Sequence, residues 1–145
     1  MRKKKKISFL MNSSTELLYY YITAPVKLSE WLADNVISIG NRYIFTWYNY
    51  DATCFLIKKI PYKLVRYKWK QDFDNKYYFE FFIKKNNITK NVYLKITDFA
   101  IKTEIKKSKM WWKNRIKKLK NITKFYDVMC LKKKKKIPRG SSIFY

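Results

Sequence analysis

Aromatic residues fall at alternate positions in three stretches of this chain: Phe45 and Trp47, Tyr67 and Trp69, Phe79 and Phe81. Alternation at period two puts each pair on one face of an extended strand. Ile96 alternates with Val92 and Leu94 on a further strand face, and Trp112 and Ile116 repeat at the spacing of one helix face. Gathered together, these residues would line an apolar pocket suited to a hydrophobic small molecule or a lipid-like ligand. The same rings would equally fill a core, each contributing about 1.5–3 kcal/mol when buried. The chain has few small residues to leave room, which favours the filled core.

Charged residues offer two further constellations. Arg66 and Glu80 fall opposite the apolar faces of their strands. They are expected as a cross-strand ion pair on the solvent face, worth little, rather than as an acid or anchor inside a pocket. Asp98 sits near a strand end, and no other carboxylate pair stands out. The segment Lys102 to Lys124 holds ten basic residues and one acid, Glu104. Within it Lys106, Lys109, Lys113, Arg115, Lys117 and Lys120 are candidates for contacting anions such as nucleic-acid phosphates, with Trp111 as the exposed ring able to stack on a base. The plain alternative is a solvated outer helix face.

Other chemistry is excluded by composition. The chain contains no His, so imidazole bases, His-dependent triads and His-ligated zinc are ruled out. Its two glycines, Gly40 and Gly140, cannot build a phosphate-cradling loop. Cys54 and Cys130 read as free thiols of a reducing compartment, with a single disulfide left open. No metal and no cofactor are expected.

The elements that would position these residues follow from the pattern. Ile7, Phe9 and Met11 suggest an opening strand. Ser13-Ser14-Thr15-Glu16 fits a capping box before a short helix, and Thr23 with Pro25 a second start, Leu28, Trp31 and Leu32 sharing one face. Strands are expected over 35–39, 42–48, 52–59, 63–70, 76–84 and 91–99, with short connections that argue for an antiparallel meander. A helix is expected from about 103 to 125. A curved sheet closed by one amphipathic helix can leave a cavity between the two.

In that order, several stretches resemble a known family. They are the opening strand with its Asn12-Ser13-Ser14 turn, TAPVKLSEWLADNV (23–36), YIFTW (43–47), LVRYKW (64–69), YYFEFFI (77–83), VYLKITDFA (92–100) and WWKNRIKKLKNI (111–122). Together, over roughly residues 5–125, they resemble the START-like (SRPBCC, helix-grip) superfamily. The likeness is strongest to small stand-alone bacterial START-like proteins, which are similar to the C-terminal domain of heat-shock ATPase activators. The resemblance implies an α+β helix-grip fold and often a ligand cavity, and it implies no single activity. With the one-sided aromatic strands, the expected function is a non-enzymatic binding or chaperone-like module holding an apolar ligand or segment between sheet and terminal helix.

The net charge of +24, from 34 basic and 10 acidic residues, first suggests a nucleic-acid partner. Yet 29 of the basic residues are Lys and 5 are Arg, whereas phosphate and base recognition favours the planar Arg fork. Phe, Tyr, Met, Ile, Asn and Lys, with A/T-rich codons, total 82, against 14 for Gly, Ala, Arg and Pro. Much of the charge therefore fits mutational pressure in an A/T-rich genome. Residues 1–6 are expected as a basic tail, 7–125 as the domain and 126–145 as a loose basic extension. Non-specific nucleic-acid binding through the basic helix and the tails is the alternative function. The longest apolar run, Leu17 to Ile22, is too short to span a membrane, and a cytoplasmic location is expected.

Overall fold

Seven antiparallel strands build the sheet in a computed structural model that describes residues 1–136, with side chains through Phe125. In chain order the elements are β1 (Arg2–Met11), α1 (Thr15–Thr23), α2 (Pro25–Trp31), β2 (Asn35–Ile39), β3 (Arg42–Trp47), β4 (Tyr50–Ile60), β5 (Leu64–Trp69), β6 (Phe79–Lys85), β7 (Val92–Ile101) and α3 (Ile105–Lys136). Short 3-10 turns cover Lys70–Asp72 and Lys102–Glu104. The strand order is β1-β7-β6-β5-β4-β3-β2. The meander therefore runs from β2 to β7, and β1 closes the far edge. The helices α1 and α2 carry the chain from one edge of the sheet to the other. This is the α+β helix-grip architecture.

Alternation decides which face is buried. Tyr43 and Phe45, Val65 and Tyr67, Phe79, Phe81 and Ile83, and Val92, Leu94 and Ile96 all point inward. They pack on Leu18, Tyr21 and Ile22 of α1, Leu28 and Trp31 of α2, and Trp112, Ile116 and Leu119 of α3. The β2–β3 hairpin has a two-residue loop with Gly40 at φ +60°, a conformation glycine adopts without cost.

The short helices are tied down by aromatic polar tips. The last carbonyls of a helix have no partner within it. At the end of α1, the Trp31 indole donates to the Tyr21 carbonyl at 2.9 Å, the Tyr67 hydroxyl to Ile22 at 2.6 Å and the Tyr43 hydroxyl to Thr23 at 2.9 Å. The Trp47 indole donates to Leu32 just beyond α2 at 2.8 Å. Burial pushes the Tyr67 phenol well above its ordinary pKa, so it stays protonated as a donor. Tyr67→Phe should strand the buried Ile22 carbonyl and cost about 1–3 kcal/mol in urea unfolding. A loss near zero would mean the carbonyl has another partner.

Four details differ from expectation. Ser14 does cap α1, but its hydroxyl accepts from the Leu17 amide at 3.1 Å, and Glu16 accepts from the Thr15 hydroxyl instead of reaching back. Ala24, not Thr23, is the N-cap of α2, because the Thr23 hydroxyl donates back to the Tyr19 carbonyl at 2.7 Å. The basic tail expected over 1–6 is strand from Arg2 onward, paired with β7 from Arg2↔Ile101 to Met11↔Val92. A ten-residue β7 offers a ladder along its whole length, and Arg2, Lys4 and Lys5 find side-chain partners. Arg2 pairs with Asp72 at 2.8 Å and lies 4.4 Å from the Tyr77 ring, while Lys4 lies over Tyr78 and Phe99. Finally, the backbone of α3 continues past 125 to Lys136. Its Lys and Leu are good helix formers, and no Gly or Pro occurs between Ile105 and Pro138. Residues 137–145 of the expected extension lie outside the described residues. No described helix is long and apolar enough to cross a membrane.

Candidate ligand cleft

The inner face is not covered evenly. Beyond α2, between the sheet and the start of α3, lies a cleft of about 270 Å³. Phe45 and Trp47 of β3, Trp69 of β5, Phe79 of β6, and Trp111 and Trp112 of α3 form its aromatic wall. The rings are continuous. Trp69 stacks on Phe79 at 4.9 Å and Phe45 on Trp47 at 5.8 Å. Trp47 meets Trp111 edge-on at 6.3 Å, and Trp111 meets Trp112 at 4.9 Å. Leu32 completes the apolar lining, and Asp98, Glu104, Lys107 and Ser108 supply its polar groups.

Two of the indole N–H groups are already used. Trp47 donates to Leu32, as above, and Trp112 donates to Asp98 Oδ2 at 2.7 Å. Asp98 Oδ1 meets the buried ammonium of Lys5 at 2.5 Å in an ion pair. Lys5, Asp98 and Trp112 thus join β1, β7 and α3 behind the cleft. Glu104 and Lys107 are exposed and in no ion pair among the described residues.

Of the nine pocket residues expected from sequence, Phe45, Trp47, Trp69, Phe79 and Trp112 line the cleft. Tyr67, Phe81, Ile96 and Ile116 do not. They are buried to 1% exposure or less and sit in the core. Phe81 is wedged between Trp31 at 5.9 Å and Trp112 at 5.7 Å, and Tyr67 is held under the end of α1. Sequence reasoning missed Leu32, Glu104, Lys107, Ser108 and Trp111 as lining residues, and the pairing of Asp98. A signal existed. Glu104, Ser108 and Trp112 recur four residues apart at the start of the helix, which is the spacing of one face turned to the sheet.

The other constellations are placed clearly. Arg66 and Glu80 are register partners on the outer face, with Nε and Nη2 donating to Glu80 Oε1 at 3.1 and 3.0 Å. The guanidinium lies 4.2 Å from the Tyr78 ring. They form a surface pair, not a pocket anchor. On α3, Lys106, Lys109, Lys113, Lys117 and Lys120 are exposed, and their three- or four-residue spacing sets them in one stripe. Arg115 lies apart from it, 5.1 Å over the Trp111 ring, and Trp111 is 37% exposed. Cys54 is buried and free, away from the cleft; burial pushes its thiol pKa up, so it is not poised as a nucleophile. No group of three or more potential metal ligands occurs among the described residues.

Comparison with known proteins agrees with this architecture. The chain is 27% identical to BfR322 from Bacteroides fragilis, covering 83% of this chain and 90% of that one, with a TM-score of 0.62. It also superposes on the Aha1 dimer structure from Colwellia psychrerythraea at 14% identity and TM-score 0.71, over 83% and 96% of the two chains. Protein MLL2253 from Mesorhizobium loti is similar at 18% identity and TM-score 0.66, over 82% and 95%. The last two likenesses speak to fold alone. No curated protein matches the sequence. The family model described as a START-like superfamily domain matches residues 1–124, and on that match and this architecture the chain belongs to the START-like superfamily.

Proposed function

We propose that this protein is a binding module that holds a small, flat, apolar molecule in the cleft between the sheet and the start of α3, without transforming it. One observation carries this reading. Six aromatic residues converge on an opening of about 270 Å³, whereas the hollow of about 450 Å³ between α2 and α3 has two aromatic residues in its lining, Tyr21 and Phe125. Ligand pockets are apolar with a few polar groups, and run to about 300–1,000 Å³. A cleft at the small end suits one or two fused rings better than a long acyl chain. Glu104, Lys107 and Ser108 would orient a polar substituent.

The five tryptophans provide the test. Trp47, Trp69, Trp111 and Trp112 line the cleft, and Trp31 is fully buried elsewhere, bonded to Tyr21. Titration with indole should move the indole N–H resonances of the first four and leave that of Trp31 unmoved. A spectrum unchanged at millimolar indole would sink the proposal.

The exposed stripe from Lys106 to Lys120 favours a second reading, non-specific binding of single-stranded nucleic acid. Affinity would then fall with salt, log K changing by about −0.7 per phosphate contact for each unit of log salt. Reversing Lys106, Lys109, Lys113 and Lys117 to Glu should flatten that slope. An unaltered slope would assign the binding to charge elsewhere.

A further inference from the structure

We propose that the cleft selects an aromatic amine, its ring among the indoles and its protonated nitrogen at Glu104. This rests on the cleft being a ligand site. The first observation is the wall: six aromatic residues surround the space, and the faces of aromatic rings attract cations. The second is the bookkeeping of carboxylates. The chain has 34 basic residues for 10 acidic ones, yet two of those ten, Asp98 and Glu104, line this one cleft.

The two carboxylates are not equivalent. Asp98 is committed, with one oxygen on the Trp112 indole and the other against the Lys5 ammonium. Glu104 has no ion-pair partner among the described residues, although Lys107 stands three positions on and lines the same cleft. Its place just before α3 also puts its negative charge near the positive end of that helix. Lys107 is exposed and free to turn to water. The remaining lysine coat would favour an anion over longer range, but its field is screened beyond about 8 Å at physiological salt. Contact at Glu104 and at the ring faces then decides the sign of charge the cleft prefers.

The experiment uses three probes of one ring and different charge: neutral indole, cationic tryptamine and anionic indole-3-acetate. Calorimetric titration at pH 7 and 0.15 M salt should find tryptamine about tenfold tighter than indole, and indole-3-acetate no tighter than indole. In Glu104→Gln, the preference of the cleft for tryptamine over indole, read as the ratio of the two affinities in that variant, should fall to about twofold or less. Glu104 is exposed, and loss of its charge at the helix end should lower the melting temperature by no more than about 4 °C. Indole binding with no preference for the amine, or with the acid bound tightest, overturns this inference and leaves the cleft standing as a ligand site. Failure of all three probes to bind overturns both.

Discussion

Asp98→Ala should be the most damaging single substitution behind the cleft, lowering stability by about 3–5 kcal/mol. Asp98 and Lys5 are register partners on β7 and β1, and their side chains are 17% and 5% exposed. Removing the carboxylate leaves an ammonium in the interior with no counter-charge, and the Trp112 N–H without its acceptor. An unpaired buried charge is far costlier than a pair, because its desolvation is no longer offset. For a chain of this size, each kcal/mol corresponds to about 2–4 °C, so thermal melting should fall by roughly 10 °C. The double variant Lys5→Met with Asp98→Leu separates this cause from lost packing. Replacing both charges with apolar groups should restore most of the loss. A single variant that melts within a degree or two of the parent would show that water already reaches the pair. A double variant no better than the single would assign the cost to the Trp112 hydrogen bond.

That pair also shows where the sequence could be read and where it could not. Alternation found every strand of the meander, because one buried face forces period two on Phe45 and Trp47, Tyr67 and Trp69, and Phe79 and Phe81. It also put Arg66 and Glu80 on the outer face, where they pair. Lys5 was hidden by the same logic. A lysine within a run of lysines reads as solvated tail, and only the register with Asp98 on a strand over ninety residues away makes it an interior group. The cleft was hidden for a related reason. Period two says which face a ring occupies, but not whether a helix lies over it. Phe79 and Phe81 share a face two residues apart, yet one borders the cleft and the other is sealed beneath Trp31 and Trp112. The polar groups of the cleft come from the turn before α3 and its first residues, where the four-residue recurrence of Glu104, Ser108 and Trp112 marks the face turned to the sheet but not the opening beneath it.

The distinction between core ring and cleft ring predicts opposite outcomes for Phe81→Ala and Trp111→Ala. Phe81 is fully buried and meets Trp31, Tyr67, Phe79 and Trp112 within 6.3 Å. Truncating it opens a cavity that the surrounding rings cannot collapse into, at a cost of about 3–5 kcal/mol. It is not part of the cleft wall, so indole affinity of the folded fraction should stay within about threefold of the parent. Trp111 is the reverse. It is 37% exposed and belongs to the outer wall, against Trp47 and Trp112. Its loss should cost about 1 kcal/mol of stability, near the centre of the range for single substitutions. The lost wall should weaken indole about tenfold, as truncating a tryptophan in a binding surface commonly does. Urea unfolding and calorimetric titration on the two variants give the four numbers needed. The pattern to look for is a crossed one, stability failing in Phe81→Ala and binding failing in Trp111→Ala. If binding failed in Phe81→Ala alone, with the protein still folded, the ligand would sit deeper in the sheet than this cleft. If stability failed in both, Trp111 would be part of the core, and the opening beside it too tightly knit to admit a ring.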